Sequence, residues 1–479
     1  MTSERPRHRS HWLREALASE TPTGEMADSA AAAPPLRGRA RADVAILGGG
    51  FTGLWTALHL KALEPSLAVT LLEADICGGG ASGRNGGFVM TWMSKAPTLL
   101  KLCGAQEGVR LLKESEAGVR TIGAFCREAG IGGHFRHDGW LWTATNRAQL
   151  GAWGPCLEAL DKVGLHPFEE LAPAEVQRRA GSAGHLAGVF EKGVATVQPA
   201  LLARALRRRA LEAGVRIHEG SPMTELRRRS PPSVATAEGE LAAGTIVLAL
   251  NAWAHELPEF RRSIYPVSVD QLATEPAPDR LARIGLTDGV AISDSRLMVD
   301  YYRTTIDGRM VFGKGGAGEL LFGSKLGRKI EAPGPRSREV LADLHRLYPD
   351  FADCPVAVRW RGPVARTATG LPFFGRLAGA PAIVYGHGYS GNGVGPSYLG
   401  GRILASLALG RHDEWAETPL ARGAQGFLPP DPIRYLGGLL VRRAVMAKDR
   451  AEDEGRVPSA LVRRLAGFAP SGLTPKRRG

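Results

Sequence analysis

The sequence predicts an α/β fold, with a parallel sheet in one domain and a second domain built on an antiparallel sheet. Three observations predict it. A buried strand, a glycine-rich turn and a helix follow one another at residues 43–63, strand and helix patterns alternate up to residue 256, and residues 257–350 contain mainly strands. The 479 residues exceed what one small core needs, so we expect two domains with terminal extensions.

The stretch DVAILGGGFTG, residues 43–53, organises the first domain. Its apolar start is typical of a buried parallel strand. Gly48, Gly50 and Gly53 then have the G-x-G-x-x-G spacing, which permits a tight turn, close approach of the backbone to a pyrophosphate and close packing of the next helix. That helix, LWTALHLKAL, would point its positive end at the phosphate.

The following strand, AVTLLE, ends in Glu73, 20 residues after Gly53. An acid at this place can accept hydrogen bonds from the ribose hydroxyls, which favours a cofactor with an unphosphorylated adenosine ribose. Strand, turn, helix, strand and acid together predict a dinucleotide site. The competing interpretation is a structural turn followed by a solvated glutamate.

A second glycine-rich stretch, residues 78–87, runs straight into apolar residues 88–90, so we expect its backbone to pass close to a planar ligand. Apolar residues at helical spacing predict helices across 97–130, and two further helices are expected within 146–182. The remaining segments of this half predict a strand at DGWLWTATN, a strand and helix at VATVQPALLARALRRRALEAG, a strand pair at VRIHEGSPMTELR and a buried strand at GTIVLALNAW.

The later half begins with a block of strands, YPVSVDQLATE, GVAISDS, LMVDYYRTT and RMVFGKGG, the last two joined by the turn IDG. A helix from Ser337 to Tyr348 closes this block. A strand at Ile383–Tyr385 then leads through the turn GHGYSGNGVG into a helix from about Pro396.

The two ends of the chain are expected to be extensions. Residues 1–41 are predicted to be mostly unstructured, with a short helix at His11–Leu13 as an option, and residues 433–448 to form a helix packed on the core.

Cysteine and charge patterns exclude several classes of protein. The five cysteines include no CxxC pair, which argues against a disulfide framework or a metal site and fits a reducing cytoplasm. The net charge of +13 comes largely from arginine runs without interleaved aromatic residues, so a solvated surface is favoured over nucleic-acid binding. Neither a secretion signal nor a membrane span is indicated, and we expect a cytoplasmic protein without stable membrane insertion.

Four segments, DVAILGGGFTG with Glu73, ASGRNGG, VLALNAW and GHGYSGNGVG, give the chain a resemblance to the FAD-dependent amine and amino-acid oxidase superfamily. This group includes D-amino-acid oxidase, glycine oxidase and monomeric sarcosine oxidase. The resemblance spans about residues 43–410, and ASGRNGGF and YYRTTIDGRMVFGKGG look most similar to gamma-glutamylputrescine oxidases. It implies a Rossmann-like FAD-binding domain of residues 42–96, 183–256 and 355–410, a substrate domain of 97–182 and 257–354, and extensions at 1–41 and 411–479.

The resemblance also implies the residues that hold FAD. The first turn would bind the pyrophosphate, Glu73 the adenosine ribose, and the late turn the pyrimidine edge of the flavin, where a helix N-terminus stabilises negative charge. The implied set is Gly48, Gly50, Phe51, Thr52, Gly53, Glu73, Ala74, Ser82, Arg84, Asn85, Gly86, Gly87, Met223, Ala249, Asn251, Trp253, Gly388, Ser390, Gly391, Asn392, Gly393 and Val394.

Two positions depart from the superfamily's pattern, which often has His where Asn392 stands and Gly where Lys314 stands. The segment ASGRNGG contains neither His nor Cys for covalent attachment, so we expect dissociable FAD, with nearby Cys77 a buried inert thiol.

Substrate-side candidates come from the second sheet and the segment after it. They are Tyr301, Tyr302, Arg303, Lys314, Arg361, Arg366, His387 and Tyr389, of which Tyr302, Lys314, Arg361 and Tyr389 are the predicted catalytic residues. Strand residues alternate in direction, so adjacent Tyr301 and Tyr302 cannot both face one pocket. Either arginine could clamp a substrate carboxylate or form a surface ion pair. Lys314 could aid oxygen reduction or simply be exposed.

The implied reaction is oxidation of a small primary or secondary amine, or an amino acid, to an imine, with O₂ as acceptor and H₂O₂ as product. Two alternatives stay open. One is a dehydrogenase of the same fold that passes electrons to a quinone or carrier protein. The other is a flavin-binding protein without turnover.

Overall fold

The computed structural model describes residues 8–20, 33–320, 326, 331–334 and 336–469. The strands of this part are β1 Gly38–Leu47, β2 Val69–Leu72, β3 Phe88–Val89, β4 Phe135–Arg136, β5 Trp140–Ala144, β6 Phe168–Leu171, β7 Ala187–Glu191, β8 Ala195–Val197, β9 Arg216–His218, β10 Glu225–Arg227, β11 Ser233–Ala235, β12 Gly239–Leu248, β13 Tyr265–Thr274, β14 Ala291–Asp294, β15 Asp300–Thr304, β16 Met310–Leu320, β17 Val356–Arg366, β18 Phe373–Leu377 and β19 Ala380–His387. The α-helices are α1 His11–Ser19, α2 Phe51–Leu63, α3 Ala96–Cys103, α4 Ala105–Glu128, α5 Gly154–Asp161, α6 Pro173–Ala180, α7 Pro199–Glu212, α8 Pro278–Arg283, α9 Ser337–Leu347, α10 Pro396–Ala408, α11 Ile433–Asp453 and α12 Ala460–Ala466.

The first sheet is centred on β1, which pairs in parallel with β12 on one side and β2 on the other. Its strand order is β10-β11-β12-β1-β2-β9, and β19, paired with β18, also runs parallel to β12. β1 begins at Gly38 rather than at the predicted Asp43, but only its last four residues are buried. The predicted strand pair in VRIHEGSPMTELR forms as β9 and β10, which lie at opposite edges of the sheet instead of pairing.

The second sheet has the order β17-β13-β16-β15-β14-β5-β7-β6 and is antiparallel except where β14 meets β5. β15 and β16 form the predicted hairpin, with Tyr302 opposite Phe312 and Tyr301 opposite Gly313. Pleating sends the two tyrosines to opposite faces of the sheet. Together the two sheets confirm the predicted α/β class, and the second domain is built on the predicted antiparallel sheet apart from its one parallel pair.

Sheet membership differs from the predicted domain ranges at two places. β7 pairs with β5 and β6, and β17 pairs with β13, so both strands belong to the second sheet. The predicted ranges 183–256 and 355–410 had assigned them to the nucleotide domain. The chain therefore crosses between the sheets after β7 and within the segment that follows β17.

Both terminal extensions pack on the rest of the molecule. α1, the helix considered at His11–Leu13, is longer than expected and buries Trp12, Leu13 and Ala16. Near the other end, α11 buries Ala444 and Val445 against Met298 of the second domain. Within the described residues, no helix combines the length and the apolar character needed to cross a bilayer.

Candidate functional site

A cavity of about 580 Å³ lies between the two sheets. This volume is within the usual range for a small-molecule or cofactor site. The residues predicted to hold the cofactor that line it are Gly48, Gly50, Phe51, Thr52, Glu73, Ala74, Ser82, Arg84, Asn85, Gly86, Met223, Ala249, Asn251, Trp253, Ser390, Gly391, Asn392, Gly393 and Val394. The early and late glycine-rich turns, more than 300 residues apart in sequence, thus meet at one cavity.

The three motif glycines have different surroundings. A Cβ built at Gly53 would lie 2.0 Å from the carbonyl oxygen of Gly48, and a Cβ at Gly48 would lie 2.5 Å from that of Ala249. These two glycines permit backbone packing. Gly50 differs, because a Cβ there would meet only the Ser82 side chain, with Oγ at 3.0 Å, and Gly50 itself lines the cavity.

Glu73 fixes the shape of the first turn. Its Oε2 accepts a hydrogen bond from the Gly49 N–H at 2.7 Å, and its Oε1 accepts one from the Asp75 N–H at 2.8 Å. Burial raises the pKa of this carboxyl to about 7. Glu73 lines the cavity beside Ala74, and Met223 lines the same region from the segment before β10.

The loop Gly79–Gly87 is held by its own polar side chains. Ser82 Oγ accepts a hydrogen bond from the Phe51 N–H at 2.9 Å, which joins the loop to the first turn of α2. Asn85 donates to the carbonyls of Ala81 and Ser82, at 3.1 and 2.8 Å, and accepts from the Gly87 N–H at 2.7 Å. The loop therefore has a defined shape where it forms the cavity wall.

The late turn carries backbone strain. Ser390 has φ +56°, and Asn251, just after the end of β12, has φ +48°. They are the non-glycine residues with positive φ in the described chain, and both line the cavity. Strained backbone of this kind is concentrated at ligand sites. The turn leads into α10, so the positive end of that helix lies beside this part of the cavity.

Three buried polar atoms at the cavity have no hydrogen-bond partner in the described chain: Gln271 Oε1, Asn392 Oδ1 and Arg366 Nε. Buried polar atoms are nearly always paired in folded proteins. Two acceptors and one donor without partners, all on residues that line one cavity, therefore fit a ligand with polar edges, as the flavin ring and its substrate would supply.

Two basic side chains, those of Lys95 and Arg366, also line the cavity. Lys95 and Arg366 are 6% and 7% exposed, and burial, together with the nearby charge of Arg366, lowers the pKa of Lys95 to about 7. Tyr301 lines the cavity as well, and burial raises the pKa of its phenol, which keeps it neutral. The arrangement favours an anionic group on the ligand.

Three of the predicted catalytic residues do not line the cavity, and their expected direct contact with a ligand needs correction. Tyr302 points to the other face of the sheet, where its hydroxyl is 2.8 Å from His185 Nε2. Lys314 Nζ donates to Asp300 at 2.9 Å and Asp343 at 2.7 Å. Arg361 pairs with Asp270 through Nε at 3.1 Å. Cross-strand partners have neutralised both cations.

The fourth, Tyr389, lines the cavity, and its hydroxyl accepts a hydrogen bond from Thr52 Oγ1 at 3.0 Å. Two further candidates, Arg303 and His387, do not line the cavity. Arg303 donates to the Val197 carbonyl, and His387 is fully buried with its pKa lowered to about 3 by desolvation. The remaining predicted residues outside the lining are Gly53, Gly87 and Gly388, each tightly packed against neighbouring atoms, and Cys77, a buried thiol.

Sequence reasoning missed several lining residues, among them Lys95, Gln271 and Val299. Gln271 had a usable signal, because strand alternation places this polar residue on the same face as the apolar Val269 and Ala273. Val299 likewise lies two positions before Tyr301, so strand alternation predicts that both side chains share one face of the sheet. Lys95 had only a weak signal, a single lysine in an apolar stretch.

Comparisons with known proteins agree with this geometry. A family model described as FAD dependent oxidoreductase matches residues 43–407. Gamma-glutamylputrescine oxidoreductase of Escherichia coli strain K12 is 30% identical over 383 residues, which cover 79% of this chain and 86% of that protein. Glycine oxidase of Pseudomonas aeruginosa is 26% identical over 399 residues, covering 79% and 98%.

Solved structures show the same fold. Glycine oxidase from Geobacillus kaustophilus superposes with a TM-score of 0.65 at 22% identity, covering 80% of this chain and 98% of that one. L-proline dehydrogenase from P. horikoshii superposes with a TM-score of 0.64 at 20% identity and the same coverage.

Proposed function

The chain belongs to the FAD-dependent oxidoreductase family, and on that premise we propose that it oxidises a small amine or amino acid to an imine, with O₂ as electron acceptor. The observation that carries the proposal is the meeting of the Gly79–Gly87 loop, the late turn and two buried cations at one cavity. The relatives named for gamma-glutamylputrescine and glycine support a carbon–nitrogen bond as the site of oxidation.

FAD would extend along the cavity from the first turn to the late turn. Gly48 and Gly50 would face its pyrophosphate, Glu73 its adenosine ribose, and Gly391 to Val394 the pyrimidine edge of its ring. The unpartnered Asn392 Oδ1 fits a donor on that edge. When bound, the cofactor would supply the two-electron acceptor for the oxidation.

The protein's own share is to bind and orient the amine. Tyr301, Val269 and Val299 would form the wall of the substrate space, and Gln271 Oε1 would accept a hydrogen bond from the substrate nitrogen. Arg366, with Lys95 near it, would hold a carboxylate, because the guanidinium is buried and its Nε lacks a partner in the described chain. We therefore favour amines that carry a carboxylate.

FAD is proposed to be dissociable and the enzyme to be cytoplasmic. Cys77 does not line the cavity, and burial raises the pKa of its thiol well above the ordinary value, so it is a poor nucleophile. All five cysteines are free, as a reducing compartment would leave them.

Anaerobic titration of the FAD-loaded protein with a panel of amines and amino acids tests the proposal. Loss of the flavin absorbance band with at least one carboxylate-bearing amine is expected, followed by reoxidation in air with stoichiometric H₂O₂. Reduction without reoxidation by O₂, but with rapid reoxidation by a quinone, would replace the acceptor and make the protein a dehydrogenase. A flavin that no member of the panel reduces would refute the proposed reaction.

A further inference from the structure

The loop Gly79–Gly87 is held by residues outside the loop as well as by its own side chains. Its carbonyl oxygens at three consecutive residues each accept a side-chain hydrogen bond. The Gly83 carbonyl accepts from Ser10 Oγ, and the Asn85 carbonyl accepts from Trp12 Nε1 at 2.9 Å. The carbonyl of Arg84, between them, accepts from Gln271 Nε2 at 2.5 Å and Trp360 Nε1 at 2.9 Å. Two of these three carbonyls are thus held by residues near the N-terminus.

Two further contacts join the N-terminal segment to the wall of the cavity. Arg84 Nη2 donates to the His8 carbonyl at 2.6 Å, and the Arg9 guanidinium pairs with both carboxylate oxygens of Asp75, one of them at 3.0 Å. Asp75 lines the cavity beside Glu73. The N-terminal segment therefore contacts the wall at both the loop and the nucleotide end.

The segment His8–Glu20 is itself firmly attached. The Trp12 carbonyl accepts from Gln198 Nε2 at 2.8 Å, and Glu20 pairs with Arg204 of α7 at 2.8 Å. The Trp12 indole, 1% exposed, lies under the Arg303 guanidinium at 5.0 Å and edge-on to Trp360 at 6.3 Å. Such contacts order a short helix that would be marginal by itself.

We propose that His8–Glu20 is a positioning element of the FAD site, which holds the loop in the shape that receives the cofactor. The segment precedes residues 43–407, the part that the family model matches. The inference rests on FAD occupying the cavity but not on amine oxidation. Docking of the segment would strengthen FAD binding, and bound FAD would stabilise the docked segment.

Preorganisation explains the coupling. Glycine occupies five of the nine positions of the loop Gly79–Gly87, and such a loop would lose much conformational entropy when FAD orders it. Contacts with His8, Ser10 and Trp12 order the loop before FAD arrives, so the loss of loop entropy does not weaken FAD binding. By linkage, FAD must stabilise the docked segment by the same factor that docking improves FAD affinity.

The first test measures FAD affinity by reconstitution of apoprotein, in the full-length chain. Trp12→Phe removes the donor to the Asn85 carbonyl and keeps an aromatic ring in place. One such hydrogen bond corresponds to about a 5- to 10-fold weaker dissociation constant for FAD. Ser10→Ala is the second variant, with a weakening of the same order expected. Trp153→Phe is the matched control, because Trp153 belongs to a different hydrophobic cluster from Trp12, and the FAD affinity of this variant should stay within twofold of the parent.

The second test is hydrogen–deuterium exchange of the amides of α1 with and without FAD. Bound FAD is expected to slow their exchange, and Trp12→Phe to reduce that protection by the factor seen in FAD affinity. A segment that serves only general stability would exchange equally in both states. Unchanged exchange, or FAD affinity of both variants within twofold of the parent, overturns the proposal, whereas failure of the amine panel does not affect it.

Discussion

Replacing Gly50 with Ala tests where the pyrophosphate lies. Gly50 has φ −84° and ψ −178°, which alanine adopts without strain, and the new methyl would meet only Ser82 Oγ at 3.0 Å. A hydroxyl can move by the few tenths of an ångström required. We therefore expect the free energy of unfolding of the apoprotein to lie within about 1 kcal/mol of the parental value. Since nothing else surrounds the methyl, it would project into the cavity.

The same methyl should be costly once FAD is present. Forcing one extra methyl group into a packed contact costs about 1–3 kcal/mol, which corresponds to roughly a 5- to 150-fold weaker dissociation constant. Apoprotein reconstitution, followed by flavin fluorescence, measures it. Gly53→Ala is the contrasting variant, because its methyl would lie 2.0 Å from the Gly48 carbonyl oxygen and should lower the melting temperature of the apoprotein itself. Parental FAD affinity in Gly50→Ala would refute our placement of the pyrophosphate.

Three further substitutions separate the roles of individual side chains. Arg366→Gln should raise KM at least tenfold for amines with a carboxylate and leave KM unchanged for amines without one, as steady-state kinetics would show. Burial raises the pKa of the Glu191 carboxyl to about 8, whereas in the unfolded state this carboxyl keeps its lower, ordinary pKa. Between these two pKa values only the native state holds the proton, so the free energy of unfolding should fall as pH rises through this range. Glu191→Gln should therefore narrow the difference in melting temperature between pH 6 and pH 9. Tyr302→Phe should lower the melting temperature, through loss of about 1 kcal/mol from its contact with His185, while FAD affinity and flavin reduction rates stay parental.

Local patterns were sufficient for the nucleotide turn. A strand, a G-x-G-x-x-G turn and a helix depend on residues adjacent in the chain, and the acid at Glu73 follows at a fixed spacing. The structure shows the predicted strands β1 and β2 around that turn. The start of β1 was harder to predict, because its first residues are exposed and carry no apolar signal.

The catalytic residues were harder to predict from the sequence, because strand pairing decides which charged side chains already have an ion-pair partner. Lys314 stands opposite Asp300 in the β15–β16 hairpin, and Arg361 stands opposite Asp270 in the β13–β17 pair. The first pairing could have been obtained from the turn IDG, since counting outward from a hairpin turn sets the register. The second joins strands about 90 residues apart in the sequence, for which the sequence contains no local register signal.

The polar residues of the Gly79–Gly87 loop show why a motif can require particular residues without using them in chemistry. Arg84 is fully buried, and its guanidinium donates to the carbonyls of Gly79, Arg361 and His8. A buried guanidinium is tolerable only when its donors are satisfied, so this residue type in turn dictates where three separate backbone segments lie. A cofactor that performs the difficult step needs orientation and electrostatics from the protein rather than reactive side chains. Arg84 therefore belongs to the construction of the site, and in the proposed reaction selection among substrates would fall to groups such as Gln271 and Arg366, which still have hydrogen-bonding capacity.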